Sequence, residues 1–206
     1  MMPKNEIRLF NFEVRAEETE DHGRILTGRP IVFGQRTNIG RYDEIIERGA
    51  LDTTDLKDVR FLVNHNTGMI PLARSRNNNE NSTMQMRVDD DGMTIRVDLD
   101  TENNADAKSL YSAVSRGDIS GMSFMFIVDK DSWEDATSEH PTRRVQSIRQ
   151  VMEVSAVTFP AYSLTSIQAR GLSYALDSAM ESLDSERTRL AEIEKQKKKI
   201  RIMMEM

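Results

Sequence analysis

A serine, a glutamate and a histidine stand in settings that single them out. Ser123 lies in "GDISGMSFMF", residues 117–126, where Met122, Phe124 and Phe126 alternate with small or polar positions. Side chains alternate across a strand, so Met122, Phe124, Phe126 and Val128 share one face. Gly121, Ser123 and Met125 take the other, which presents Ser123 away from the core. Glu153 lies in "VMEVSAVTF", a run apolar on both faces, where a carboxylate is costly unless a cation or a hydrogen-bond donor meets it. Arg143, Arg144 and Arg149 are the nearby candidates for that cation. The chain has three histidines. His22 in "EDHGR" and His140 in "SEHPTRR" fall in polar segments and read as exposed, whereas His65 ends the apolar run "VRFLVNH".

These three residue types combine into one chemistry. A serine hydroxyl is a poor nucleophile until an imidazole takes its proton, and the imidazole needs an acceptor on its other nitrogen to fix its tautomer. Ser123, His65 and Glu153 supply those parts. Each also has a structural reading: a half-exposed strand serine, a satisfied strand-end histidine, and a glutamate paired with arginine. Competing chemistries lack components. Cysteine is absent, which removes thiolate catalysis and cysteine-rich zinc sites. There is no HExxH pair, no P-loop or Rossmann glycine pattern, and no GxSxG elbow, since position 125 is Met. The acidic "VDDDGMTIRVDLD" lacks the spacing of an EF-hand. No metal and no cofactor are expected.

The elements that must position these residues are mostly strands. From Ile7 to Ala16 and from Ile25 to Phe33 the pattern alternates, with the polar "EETEDHG" between, which predicts a hairpin. "ERGALDTTDL" follows as an irregular link, then "VRFLVNH" as a third strand, a turn in "TGMIPLARS" and the polar loop "RNNNENS". "TMQMRV" and "MTIRVDL" flank "DDDG", an Asp-Gly turn signal that predicts a second hairpin. Ala107, Leu110 and Val114 then recur at helical spacing, with Asn103 or Asn104 able to cap the start and Gly117 the end. That helix feeds directly into the strand of Ser123. A polar excursion, "DKDSWEDATSEHPTRR", precedes a last strand region from Val145 to Phe159 that stops at Pro160. Six or more antiparallel strands with one or two helices predict an α+β domain over residues 1–170, mainly β and built as a closed or nearly closed barrel.

Residues 171–206 differ. Leu176, Leu183 and Leu190 recur every seven residues, and the acidic "ESLDSE" precedes the basic "KQKKKIR", an order that complements a helix dipole. This predicts a detachable amphipathic helix, used for targeting, for dimerisation or as a self-cleaved segment. The net charge of −6, with 30% charged residues of both signs, provides no basic field for nucleic acid and favours protein partners. The absence of cysteine, of an apolar leader and of any membrane-length apolar run points to a soluble cytoplasmic protein.

With the motifs "NHN" at 64–66, "SGMSF" at 120–124 and "EVSAVTFPAY" at 153–162, and "E…GAL" from Glu44 to Leu51, the chain resembles the prohead maturation proteases of tailed bacteriophages. The resemblance covers residues 25–170. It implies a serine peptidase related in fold to the herpesvirus assemblin barrel, acting on capsid or scaffold segments inside the immature head. The family's histidine, serine and acidic motifs fall on His65, Ser123 and Glu153. Two positions depart from its pattern: Met125 where Gly is usual after the serine-phenylalanine pair, and Ala73 ending "PLA" where "PLG" is usual. Neither removes a catalytic atom, and both bear on the approach to a substrate groove. By analogy with assemblin, the backbone amides of Ala161 and Tyr162 are the expected oxyanion donors, and His140 is the alternative third member.

The partners so implied are the major capsid protein with its scaffold segment, or a separate scaffold protein, together with a possible homo-oligomer. The implied location is the host cytoplasm and then the interior of the prohead. A non-catalytic scaffolding module, recruited through the C-terminal helix, is the competing expectation.

Overall fold

In the computed structural model, backbone is described for residues 6–10, 14–18, 23–158 and 169–205, and side chains for 14–18, 23–158 and 177–205. The longest elements are two consecutive strands, β10 (Gly121–Glu134) and β11 (Thr142–Val157), which pair antiparallel along nearly their whole length. They form the spine of a seven-stranded sheet. On the far side of β10 lies β1 (Glu6–Phe10), antiparallel; on the far side of β11 lie β5 (Asp43–Ile46) and β6 (Asp58–Val63), both parallel to it. The hairpin partners β4 (Arg36–Asn38) and β7 (Ala73–Arg76) extend β5 and β6. A second sheet runs in the order β2 (Val14–Glu18), β3 (Arg24–Val32), β9 (Gly92–Leu99), β8 (Met84–Asp89).

One apolar core fills the space between the sheets. Met122, Phe124 and Phe126 enter it from β10, with the two phenylalanine rings stacked 4.7 Å apart. Leu26, Ile31, Met84, Met93 and Val97 meet them from the second sheet. The helix α1 (Ala105–Ser115) adds Ala107, Leu110 and Val114, the three positions its sequence spacing marked. Its ends are capped as expected. Asn104 accepts hydrogen bonds from the amides of Asp106 and Ala107, and Gly117 turns left-handed (φ 78°) while Asp118 N–H reaches back to Ala113 O.

Four expectations need correction. The first strand is two: β2 pairs with β3 as predicted, but β1 belongs to the other sheet. The polar excursion over residues 129–144 is strand at both ends, closing β10 and opening β11. Arg143 there is only 2% exposed and bonds Asp131 on β10 and Glu44 on β5, and Trp133 packs edge-on against Tyr42. The sheet is mixed rather than antiparallel, and the two-sided apolar run of β11 is what a central strand looks like, here between antiparallel β10 and parallel β6.

Nor, among the described residues, do the sheets close into a barrel. Where β7 approaches β8, the free-edge amides of Arg74 and Arg76 donate to the hydroxyls of Thr83 and Ser82 rather than to a paired strand. Across the other gap, Val14 N–H donates to Ser120 O ahead of β10. At the β7–β8 gap, side-chain oxygens thus satisfy amides that strand pairing would otherwise have used.

The helix α2 (Ala169–Met204) docks through its first half. Ala179 and Leu183 are buried, Ser182 bonds Asp131 and Trp133, and Arg187 donates to the carbonyl oxygens of Ala136 and Ser138. Its far end exposes Ile200, Ile202, Met203 and Met204. No helix among the described residues is long and apolar enough to cross a membrane.

The β8–β9 turn generates two predictions. Gly92 has φ 144°, and a Cβ there would stand 1.9 Å from the carbonyl oxygen of Ile31. Gly92→Ala is expected to cost about 2–4 kcal/mol, lowering the melting temperature by roughly 5–15 °C; an unchanged melting curve contradicts the close approach. Beside it, the Arg29 guanidinium bonds both oxygens of Asp89 at 2.6 and 2.8 Å and holds that carboxyl down at about 2, below its ordinary 3.8. A depressed folded value means the contribution is full above 3.8 and lost as pH falls through about 2. Arg29→Ala should therefore show a small loss of melting temperature at pH 7 that closes towards pH 2, and a gap constant with pH overturns the assignment.

Candidate active site

Strand register decides which side chains can meet. Ser123 stands opposite Ser155 across the β10–β11 ladder, and Met125 opposite Glu153. All four lie on the face turned away from Phe124. Ser123 and Glu153 are thus diagonal neighbours, about 7–8 Å apart, too far to bond directly and suitably spaced for one imidazole between them. The third side chain comes from the end of β6, which runs parallel beside β11 with Leu62 next to Ser155.

The turn that follows β6 swings His65 over that gap. Asn64 N–H continues the ladder onto Ala156 O at 2.9 Å, and Asn66 N–H closes the turn on Val63 O at 3.1 Å. Asn64 and His65 both take left-handed backbone angles, φ 51° and 56°. Such angles are uncommon outside glycine, and Asn and His are among the residues that tolerate them. The amide of Asn64 pins the turn in place: its Nδ2 donates to Thr158 Oγ1 at 3.0 Å, and its Oδ1 accepts from Thr158 N–H at 2.9 Å.

The result is a continuous row of hydrogen bonds. His65 Nε2 lies 2.6 Å from Ser123 Oγ, and His65 Nδ1 bonds Glu153 Oε1. The other glutamate oxygen, Oε2, accepts from Ser155 Oγ at 2.6 Å, and Ser155 Oγ in turn accepts from His65 N–H at 3.1 Å. Glu153 is 2% exposed, so its two oxygens are met by His65 and Ser155. Chemically, a carboxylate that holds Nδ1–H leaves Nε2 as a base directed at a hydroxyl.

The structure thus brings His65, Ser123 and Glu153 together, and it places the alternatives elsewhere. Arg143 bonds Asp131 and Glu44, Arg144 bonds Glu134 and Glu47, and Arg149 bonds Asp129, so none of them partners Glu153. His140 lies beyond the opposite end of β11 from Glu153, where it bonds Asp43 and Asn38. Burial pushes the Asp43 carboxyl up, but hydrogen bonds from His140 and Arg36 outweigh it and leave that carboxyl below its usual value. His22, Ala161 and Tyr162 lie outside the described residues.

The expected exposure of Ser123 needs correction. Its face is turned from the core, yet the residue is 0% exposed, because β1 flanks it with Leu9 opposite and the His65 turn lies over it. Sequence reasoning missed Ser155, Asn64 and Thr158. Strand alternation carried a signal for the first, since Ser155 is two residues from Glu153 on a strand otherwise apolar on that face. Among the described residues no group of three or more His, Cys, Asp or Glu is placed to hold a metal ion.

No curated protein matches the chain significantly. Among solved structures it is similar to the capsid assembly protease gp21 of bacteriophage T4, at 12% identity over 76% of this chain and 99% of that one, with a TM-score of 0.41. A family model described as caudovirus prohead serine protease matches residues 10–178. With most of its length matched in this way, the chain belongs to the caudovirus prohead serine protease family.

Proposed function

We propose that this serine protease cuts peptide bonds with Ser123 as nucleophile, His65 as general base and acid, and Glu153 as the residue that orients the imidazole. The carrying observation is the hydrogen-bonded row from Ser123 Oγ through both nitrogens of His65 to Glu153. Ser123 Oγ attacks the scissile carbonyl carbon as its proton passes to Nε2. The tetrahedral intermediate collapses when the imidazolium returns that proton to the leaving amine and the C–N bond breaks. Water, deprotonated by the same nitrogen, then releases the acyl group from Ser123. The amides of Ala161 and Tyr162 remain the oxyanion donors we favour, on the analogy with assemblin drawn from the sequence.

The substrate we propose is the capsid protein or its scaffold segment, in keeping with the family's description as prohead proteases. Self-cleavage and action inside the prohead belong to the same reading. The complete burial of Ser123 means that a peptide carbonyl reaches its hydroxyl only after a neighbouring segment moves. The five-residue edge strand β1, with Leu9 opposite Ser123, is the candidate for that movement.

Residues 171–206 we read as the recruiting segment. The distal part of α2 supports this, since it exposes Ile200, Ile202, Met203 and Met204 beside Lys197, Lys198 and Lys199. The proximal part is tied into the β10–β11 hairpin, so binding is best assigned to residues beyond Leu190.

Co-expression with the capsid protein, read by intact mass, tests the chemistry. The wild type should truncate the capsid protein, itself or both at discrete sites. Ser123→Ala should abolish every cut, and Glu153→Gln should slow cleavage by about 10⁴-fold, the cost of losing the acid in other triads. Cleavage by Ser123→Ala, or near wild-type rates for Glu153→Gln, would remove that residue from the mechanism. A chain lacking residues 191–206 should stay folded and lose co-purification with the capsid protein; undiminished co-purification would move recruitment elsewhere.

A further inference from the structure

We propose that Ser155 is a positioning residue of this site: its hydroxyl dictates which nitrogen of His65 carries the proton. The inference rests on the assignment of His65, Ser123 and Glu153 made above. It follows from the direction in which each hydrogen bond must run.

The starting point is a group with no choice. The backbone N–H of His65 can only donate, and it donates to Ser155 Oγ at 3.1 Å. That bond occupies a lone pair of the hydroxyl and directs its single proton onto the other neighbour, Glu153 Oε2, at 2.6 Å. A hydroxyl donates a stronger bond to a carboxylate than to the carbonyl oxygen of a neutral acid, and a carboxylate is acceptor-only. Oε1 therefore accepts from His65, Nδ1 carries the hydrogen, and Nε2 is left with its lone pair facing Ser123 Oγ. The circuit begins and ends on the same residue, so the backbone conformation of His65 sets the tautomer of its own ring.

The competing arrangement is unproductive. A neutral glutamic acid could donate through Oε1 to a bare Nδ1, which would place the proton on Nε2 and leave Ser123 without a base. The Ser155 hydroxyl opposes that state because its bond to Oε2 is stronger when the acceptor is a carboxylate, and because it orients that group from the far side. Ser155 is well located to do so, being fully buried on β11, directly across the ladder from Ser123 and two residues from Glu153. Burial keeps water from substituting for the hydroxyl once it is removed.

A small fluorophosphonate that phosphonylates activated serines is the probe, applied to the full chain and read by intact mass and peptide mapping. Wild type should be modified at Ser123. Ser155→Ala should keep its melting temperature within a few degrees and its apparent probe affinity unchanged. Its maximal modification rate should fall about 10- to 100-fold, the scale for losing a hydrogen bond to a charged group. Ser155→Thr, which retains the hydroxyl, should recover most of that rate.

A Ser155→Ala rate within twofold of wild type overturns the inference. So does a folded Ser155→Thr protein as slow as Ser155→Ala, since the hydroxyl would then not be the cause. Absence of any modification of wild type, or equal modification of Ser123→Ala, would instead overturn the underlying assignment of the nucleophile.

Discussion

A carboxylate with 2% exposure must be paid for in hydrogen bonds, and the pairing of Glu153 with His65 is the contact on which the site depends. Glu153 belongs to a central strand; His65 belongs to a turn. The interaction joins them and so fixes the loop to the sheet at the point where the chemistry is proposed. Every feature around it serves the same registration. The parallel pairing of β6 with β11 brings the chain alongside, the Asn64–Thr158 clamp stops it there, and two left-handed residues turn the imidazole across the gap between strands. Left-handed residues other than glycine cost free energy, and such strain persists only where surrounding bonds over-determine it.

The long β10–β11 hairpin divides its labour by position. At the end formed by Gly121 and Val157, the face away from the core carries Ser123, Ser155 and Glu153. At the other end the same two strands carry Asp131, Trp133 and Arg143, a polar network that seats α2 through Ser182. The opposite face is apolar where the core lies, so one rigid element presents the candidate catalytic row, the docking ground for the tail and the main support of the core. Its stiffness comes from burial on both sides and from pairing on both edges of each strand near the site.

Much of this was legible in the residues themselves. The alternation in "GMSFMF" gave the correct core face, because a period of two leaves no freedom once one face is apolar. The helix with Ala107, Leu110 and Val114, its two caps, and the "DDDG" hairpin were equally local properties and formed where expected. Pairing partners were not local. Nothing in "TRRV" or "VMEVSAV" states that β5 runs parallel beside the first and β6 beside the second, and "ARSR" reads as loop until β6 lies next to it. The closed barrel failed for a similar reason, since the hydroxyls of Ser82 and Thr83 satisfy amides that a barrel would have paired. At the site, scarcity of histidine and an acid in an apolar strand pointed to His65 and Glu153. Ser155 escaped notice because a buried serine announces a role only when its partners are known.

The most direct test of the account is the tautomer of His65, read by ¹⁵N NMR of protein labelled at histidine. With three histidines in the chain, the ring signals can be assigned by single substitutions. The proposed mechanism requires the neutral ring to carry its proton on Nδ1, coupled to Glu153, with Nε2 unprotonated and accepting from Ser123. That tautomer in the wild type, lost in Glu153→Gln, is the predicted result. A ring protonated on Nε2, or one whose tautomer ignores the substitution, would contradict the claim that Glu153 readies His65 to act on Ser123.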